Sequence, residues 1–151
     1  MIASAAILIL SLGLPGSTLW LGPKPPENIK RIVSLAPSIT EVLFSLEAGG
    51  QVVGVTRYAT WPAAVKKIPK VGGFIDPDLE SIVALKPDLV VAIPTSGGAE
   101  RIRQVAQLGV SVLVLPAKTL DELWAAIALL GHLLHTETRA KALMTSMKKE
   151  L

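Results

Sequence analysis

The side chains best placed to do chemistry are Tyr58 with its neighbour Arg57, Trp61, Phe74 and Ser38, and the histidines His132 and His135. Tyr58 follows Val52-Val53-Gly54-Val55-Thr56, a short β-branched run with the composition of a buried strand. Ligands of an open parallel sheet sit beyond the carboxyl ends of its strands. On that rule Tyr58, Trp61 and Phe74 share one rim, which favours a large, partly apolar, ring-bearing molecule. Trp61 and Phe74 taken singly could equally cap the core under a long loop, so Tyr58 is the stronger candidate. Catalysis has less support. Cysteine is absent, Ser38 is most simply a helix cap, and His132 and His135 stand near the end of a helix remote from the strand ends. Among carboxylates only Glu137 is spaced to join those imidazoles as a metal ligand, so a solvated helix end, favoured by the helix dipole, explains them better. Gly49-Gly50 closes a helix where a nucleotide loop must open one, and Gly97-Gly98 lacks the GxGxxG spacing and a Lys-Ser/Thr sequel. The chain reads as a binder, with no catalytic residue, no metal and no resident cofactor.

Strands spaced by helices must position those residues. Arg31 to Leu35 predicts a strand, and Ser38-Ile39-Thr40-Glu41 a capping box opening a helix that Gly49-Gly50 closes. Val52 to Thr56 is the second strand. Tyr58 to Gly73, with Pro62, Pro69 and Gly72-Gly73, predicts a long loop holding one helical turn near Ala63 to Lys66. Asp78 caps a helix through Leu85, Pro87 ends it, and Leu89 to Ile93 is the third strand. A helix from Ala99 to Leu108, closed by Gly109, leads to a fourth strand, Val110 to Leu115. Thr119-Leu120-Asp121-Glu122 is a second capping box, and Leu120, Leu123, Ile127, Leu130 and Leu134 then recur at helical spacing. Glu137 to Leu151 makes the last helix, with an apolar stripe of Leu143, Met144 and Met147 expected to be exposed. Continuously apolar strands too far apart for hairpins imply right-handed crossovers. The fold class is α/β: a single doubly wound lobe with a parallel sheet of about four strands, ending in a long helix.

The 151 residues suit one domain. The 50% hydrophobic and 18% charged composition is skewed by residues 1–22, which contain no charged side chain. Their apolar run, ended by the small residues of Pro15-Gly16-Ser17-Thr18, predicts a signal peptide; its length and the lack of Lys or Arg ahead of it leave a membrane anchor as the alternative. Residues 23–28 read as an extended linker, and residues 29–151 as the lobe. Without cysteine, disulfides and a lipid-modified cysteine are both excluded. A net charge of +3 and a pI near 9.3, with scattered basic residues and 4% aromatics, make nucleic acid an unsuitable partner.

Three stretches carry a family resemblance: Arg31-Ile32-Val33-Ser34-Leu35-Ala36-Pro37-Ser38 with Glu41; Val53-Gly54-Val55-Thr56 with Tyr58 and Pro62; and Leu79-Glu80 through Leu85-Lys86-Pro87-Asp88-Leu89. From Ile29 to Leu151 the chain resembles the N-terminal lobe of periplasmic solute-binding proteins of the helical-backbone class, which serve cobalamin or iron–siderophore ABC importers. It is most similar to the cobalamin binders. The resemblance implies periplasmic capture of a corrinoid, or alternatively of an iron–siderophore or haem, with cobalamin as cargo. It implies ligand contacts from Tyr58, the Pro37-Ser38 loop and Phe74, where cobalamin binders carry tryptophan, and the rim reading adds Trp61. An aromatic expected near Ile93-Pro94 is missing. The resemblance also implies that Glu80 docks on arginines of the ABC permease in the inner membrane, a role compatible with that of an ordinary first-turn carboxylate. The second lobe and its share of the pocket lie outside the match, so the chain is expected to be a truncated product with impaired capture. A membrane-tethered α/β interaction module without a transport role is the alternative from another class.

Overall fold

The computed structural model describes residues 18–73, 75–95 and 97–151. The apolar leader from Met1 to Ser17 and the candidate Phe74 lie outside the described residues.

In chain order the elements are β1 (Leu19–Leu21), β2 (Ile32–Ser34), α1 (Pro37–Ser45), β3 (Val52–Val55), α2 (Leu79–Ala84), β4 (Leu89–Ala92), α3 (Ala99–Gln107), β5 (Val112–Val114), α4 (Leu120–Leu133) and α5 (Glu137–Lys149). They form one five-stranded sheet of order β1-β5-β4-β2-β3. β2 to β5 are mutually parallel where they pair, and β1 runs antiparallel to β5. The parallel frame is the one expected from the strand–helix alternation. The fifth strand comes from residues that composition had grouped with the leader, because Leu19-Trp20-Leu21 is as apolar as the run before it.

Alternation along each strand divides the core between the two faces of the sheet. Ile32, Leu89, Val91 and Leu113 point into the layer shared with α1, α4 and α5. Val33, Val90, Ala92 and Val112 point into the layer shared with α2 and α3. Because both faces are covered, the strands are almost wholly buried, which is why they read as unbroken apolar runs. Leu143, Met144 and Met147 of α5 correct the expectation of an exposed stripe: all three are half-buried against the first layer. Gly131 permits this approach, since a Cβ there would stand 2.6 Å from that of Ala140.

Local chemistry accounts for several helix boundaries. The Asp78 carboxylate accepts the N–H groups of Glu80 and Ser81 at the start of α2, and Thr119 with Glu122 forms a complete capping box on α4. Gly109 closes α3 with a left-handed φ of 89°. The Asp88 side chain accepts the N–H groups of Lys30 and Arg31 at 2.7 and 3.0 Å, tying the entry of β2 to that of β4. At α1 the expected box does not form. Pro37, with its fixed φ, occupies the first helical turn, Ala36 becomes the N-cap without a side-chain bond, and Ser38 sits exposed inside the helix. Nor do glycines close α1, since Leu46 is its C-cap and Glu47 takes the left-handed conformation at φ 61°. No helix among the described residues is long and apolar enough to cross a membrane.

Candidate functional site

The loops after β2 and β3 leave neighbouring strands at the carboxyl end of the sheet, and they carry Pro37-Ser38 and Arg57-Tyr58 respectively. Below the first loop lies a buried polar cluster. Thr40 Oγ1 is 2.8 Å from Ser34 Oγ, which donates to the carbonyl of Ala36 at 3.2 Å. This fixes the strand-to-helix turn that presents Pro37 and Ser38.

The second loop is stitched to the edge of β3. The N–H of Val55 donates to Pro69 O, that of Val71 to Val55 O, and that of Arg57 to Gly72 O, each within 2.9–3.0 Å. Gly72 has φ 91°, a conformation that side chains resist, and a Cβ on Gly73 would collide with the Asp76 carboxylate and crowd Tyr58. These glycines let the returning chain lie against Tyr58.

Arg57 links the pieces. Its Nη2 donates to both carboxylate oxygens of Asp76 at 3.0 and 3.1 Å, while its guanidinium carbon lies 5.0 Å from the centroid of the Tyr58 ring. Hydrogen bonding to Asp76, and then to Tyr58, raises the Arg57 pKa, and the same Asp76 bond lowers that of the carboxyl. The ring is held by its neighbours yet remains 51% exposed. Three residues on, Trp61 is 54% exposed. A half-exposed pair of aromatics suits contact with a flat apolar body more than transfer of protons or electrons.

The other candidates lie apart. Glu80, in the first turn of α2, is exposed beside a shallow apolar hollow of about 380 Å³ formed by Leu79, Val83, Ala84 and Leu108. His132 faces Glu137 at 3.5 Å and His135 approaches the carbonyl of Glu27 at 3.2 Å, so the two imidazoles engage different partners. They border a hollow of about 640 Å³ with Ile29; Ile29 precedes β2, which puts that hollow at the amino edge of the sheet, opposite Tyr58. No group of three metal-ligating side chains occurs among the described residues. Asp76 escaped the sequence reading because nineteen positions separate it from Arg57, and only the glycine pair beside it hinted at a close chain approach.

The sequence family described as periplasmic binding protein matches residues 32–151. The ABC transporter substrate-binding lipoprotein YvrC of Bacillus subtilis, itself uncharacterized, is 40% identical over 125 residues, covering 81% of this chain and 40% of the relative. The vitamin B12-binding protein of Pectobacterium carotovorum is 30% identical over 122 residues, covering 81% of this chain and 44% of that protein. Among solved structures, a periplasmic heme binding protein from Pseudomonas aeruginosa superposes with a TM-score of 0.77 at 29% identity, covering 80% of this chain and 44% of its own. The chain thus spans less than half the length of these relatives.

Proposed function

Because the chain belongs to the periplasmic binding protein family, we propose that it is a lobe of an ABC importer's substrate-binding component, exported from the cytoplasm, that holds one side of a corrinoid such as cobalamin. The observation that carries this reading is the half-exposed Tyr58 ring, held by the Arg57–Asp76 pair at the carboxyl rim of the sheet. Trp61 and the Pro37-Ser38 turn extend the contact surface, and Phe74 completes it by resemblance. A corrin macrocycle is broad and partly apolar, matching aromatics that lie open instead of enclosed. Relatives named for vitamin B12 favour the same cargo. Haem is the second reading, favoured by the likeness to a heme binding protein.

Glu80 supplies the docking charge. Its carboxylate, exposed on α2 next to Leu79 and Val83, is suited to an arginine of the permease.

One lobe alone binds weakly. A complete clamshell at nanomolar strength corresponds to about −12 kcal/mol, and half of that to a Kd of tens of micromolar at best. Equilibrium dialysis against cyanocobalamin, hemin and a ferric siderophore tests the assignment. Retention of cyanocobalamin in the tens to hundreds of micromolar is expected. Hemin retained with no cobalamin bound at about 1 mM would select the second reading, and no retention of any of the three would remove the transport assignment. Glu80→Arg is expected to leave dialysis unchanged while lowering stimulation of a corrinoid permease's ATPase.

A further inference from the structure

We infer that Arg101 is a positioning residue for the ligand rim: from α3 it holds the Ile75–Asp78 segment where Asp76 can grip Arg57 beneath the Tyr58 ring. This rests on the rim proposed above and deepens it by naming a residue that keeps the rim in shape through other side chains.

The segment needs holding. Gly72 and Pro77 face each other in an antiparallel bridge, the N–H of Asp78 donates to Val71 O at 2.8 Å, and Asp76 stands directly before that bridge. Three carboxylates, Asp76, Asp78 and Glu80, share a stretch of five residues and repel one another. Asp76 is drawn to Arg57, but the two side chains of that pair are 57% and 47% exposed, and an ion pair so open to water holds little by itself. Something else must bring the carboxylate to the guanidinium.

Helix α3 supplies the support. Ile102 and Val105 bury one of its faces in the layer shared with α2, which makes the helix a fixed platform. Arg101, the residue before Ile102, reaches the segment: its Nη1 donates to the Pro77 carbonyl in a long bond of 3.4 Å. Just ahead of the helix, Gly97 lets Ile75 lie close, since a Cβ there would stand 2.8 Å from Ile75 Cγ2. Charge acts in the same direction. The Asp76 pKa is lowered first by the Arg57 hydrogen bond and that of Asp78 first by the bond from the Ser81 amide, and the positive charge of Arg101 lowers both further. Glu100, by contrast, pairs with Arg103 at 3.5 Å. Arg101 therefore binds the backbone of the segment and offsets its negative charge together. Without it Asp76 would leave Arg57 more often, and the Tyr58 ring would lose its backing. Asp78 caps the helix that bears Glu80, so the same guanidinium also steadies the docking charge.

Equilibrium dialysis against cyanocobalamin, on variants that urea titration shows to be folded, tests the inference. Arg101→Met keeps the aliphatic stem and is expected to weaken retention by about three- to tenfold, while Arg101→Lys stays within about twofold of the parent. In an Asp76→Asn background Arg101→Met should add less than about twofold, since its effect passes through that carboxylate. The groups that face Asp76 are Arg57 and Tyr58 from the loop after β3, Arg101 from α3 and Asp78 two residues on. Retention by the parent should fall in acid as Asp76 takes a proton. With Arg101 replaced the carboxyl takes its proton more readily, so the fall begins at higher pH, and in Asp76→Asn it disappears. Full binding by Arg101→Met, an undiminished loss in the Asp76→Asn background, or an acid limb that does not move would each overturn the assignment. If the parent retains no cyanocobalamin, the ligand reading fails by itself. The placement of Arg101 is then read from hydrogen exchange at the Arg57 amide, where Arg101→Met should lower protection at least about threefold, and unchanged protection overturns it.

Discussion

Replacing Tyr58 by alanine tests the ligand rim most directly. Tyr58 is 51% exposed, so roughly 100 Å² of an aromatic surface of about 200 Å² is free to be covered by ligand. At about 25 cal/mol per Å², complete covering of that area is worth about 2.5 kcal/mol, or roughly a 70-fold change in Kd. Incomplete covering lowers this, and ring stacking adds about 0.5–1.5 kcal/mol. A lobe binding cyanocobalamin at tens of micromolar should therefore fall to about the millimolar range on Tyr58→Ala. Tyr58→Phe keeps the ring and should stay within about threefold. Stability should fall by about 1–2 kcal/mol, because truncation also removes the half of the side chain that packs against Arg57 and the Gly73 segment. Equilibrium dialysis read by corrin absorbance gives the affinities, and urea denaturation verifies the fold. An alanine variant that is still folded by urea titration yet binds within about twofold of the parent would refute the placement of ligand on this rim.

The Arg57–Asp76 clamp should be sensitive to acid. Arg57 depresses the Asp76 pKa chiefly through their side-chain hydrogen bond, so the stabilisation is complete above the ordinary aspartate range and disappears as pH falls through the depressed folded value. Hydrogen-exchange protection of the Arg57 amide, bonded to Gly72 O, should therefore be flat from about pH 7 to about pH 5 and fall in stronger acid; Asp76→Asn should lower it throughout and flatten the acid step. Thr40→Val keeps the shape but deletes the hydroxyl next to Ser34, and should cost about 1 kcal/mol as a shift in urea midpoint with unchanged slope; an unaltered midpoint would show the cluster to be dispensable. Leu113, fully buried on β5, should cost the fold about 2–5 kcal/mol on truncation to alanine, a large part of a domain's usual stability of about 5–15 kcal/mol. Circular dichroism melts would record this, and a change near zero would mean that the two-layer core is wrongly described.

Local signals were legible wherever chemistry acts over a few residues. Asp78 and Thr119 cap their helices because a short oxygen-bearing side chain reaches the amide two or three positions ahead, and that reach is written in the spacing. Ser38 misled for a similar reason: the same pattern preceded α1, but the proline before it set the first helical turn and took the choice away from the serine. The leader boundary drawn by charge fell beyond β1, since a segment destined for a membrane and one destined for a sheet edge are equally apolar.

The order of apolar runs and breakers by itself determined that the chain forms parallel strands with helices on both faces, and that Tyr58 follows a strand, because burial on two faces and hydrogen bonding along the backbone are properties of contiguous residues. Only the tertiary structure decided that Asp76 would grip Arg57 beneath the Tyr58 ring, that Leu19–Leu21 would close one edge of the sheet, and that the α5 stripe would be half covered. Those contacts join residues far apart in the chain, and their energy depends on distances fixed by how the layers pack, which local spacing does not encode.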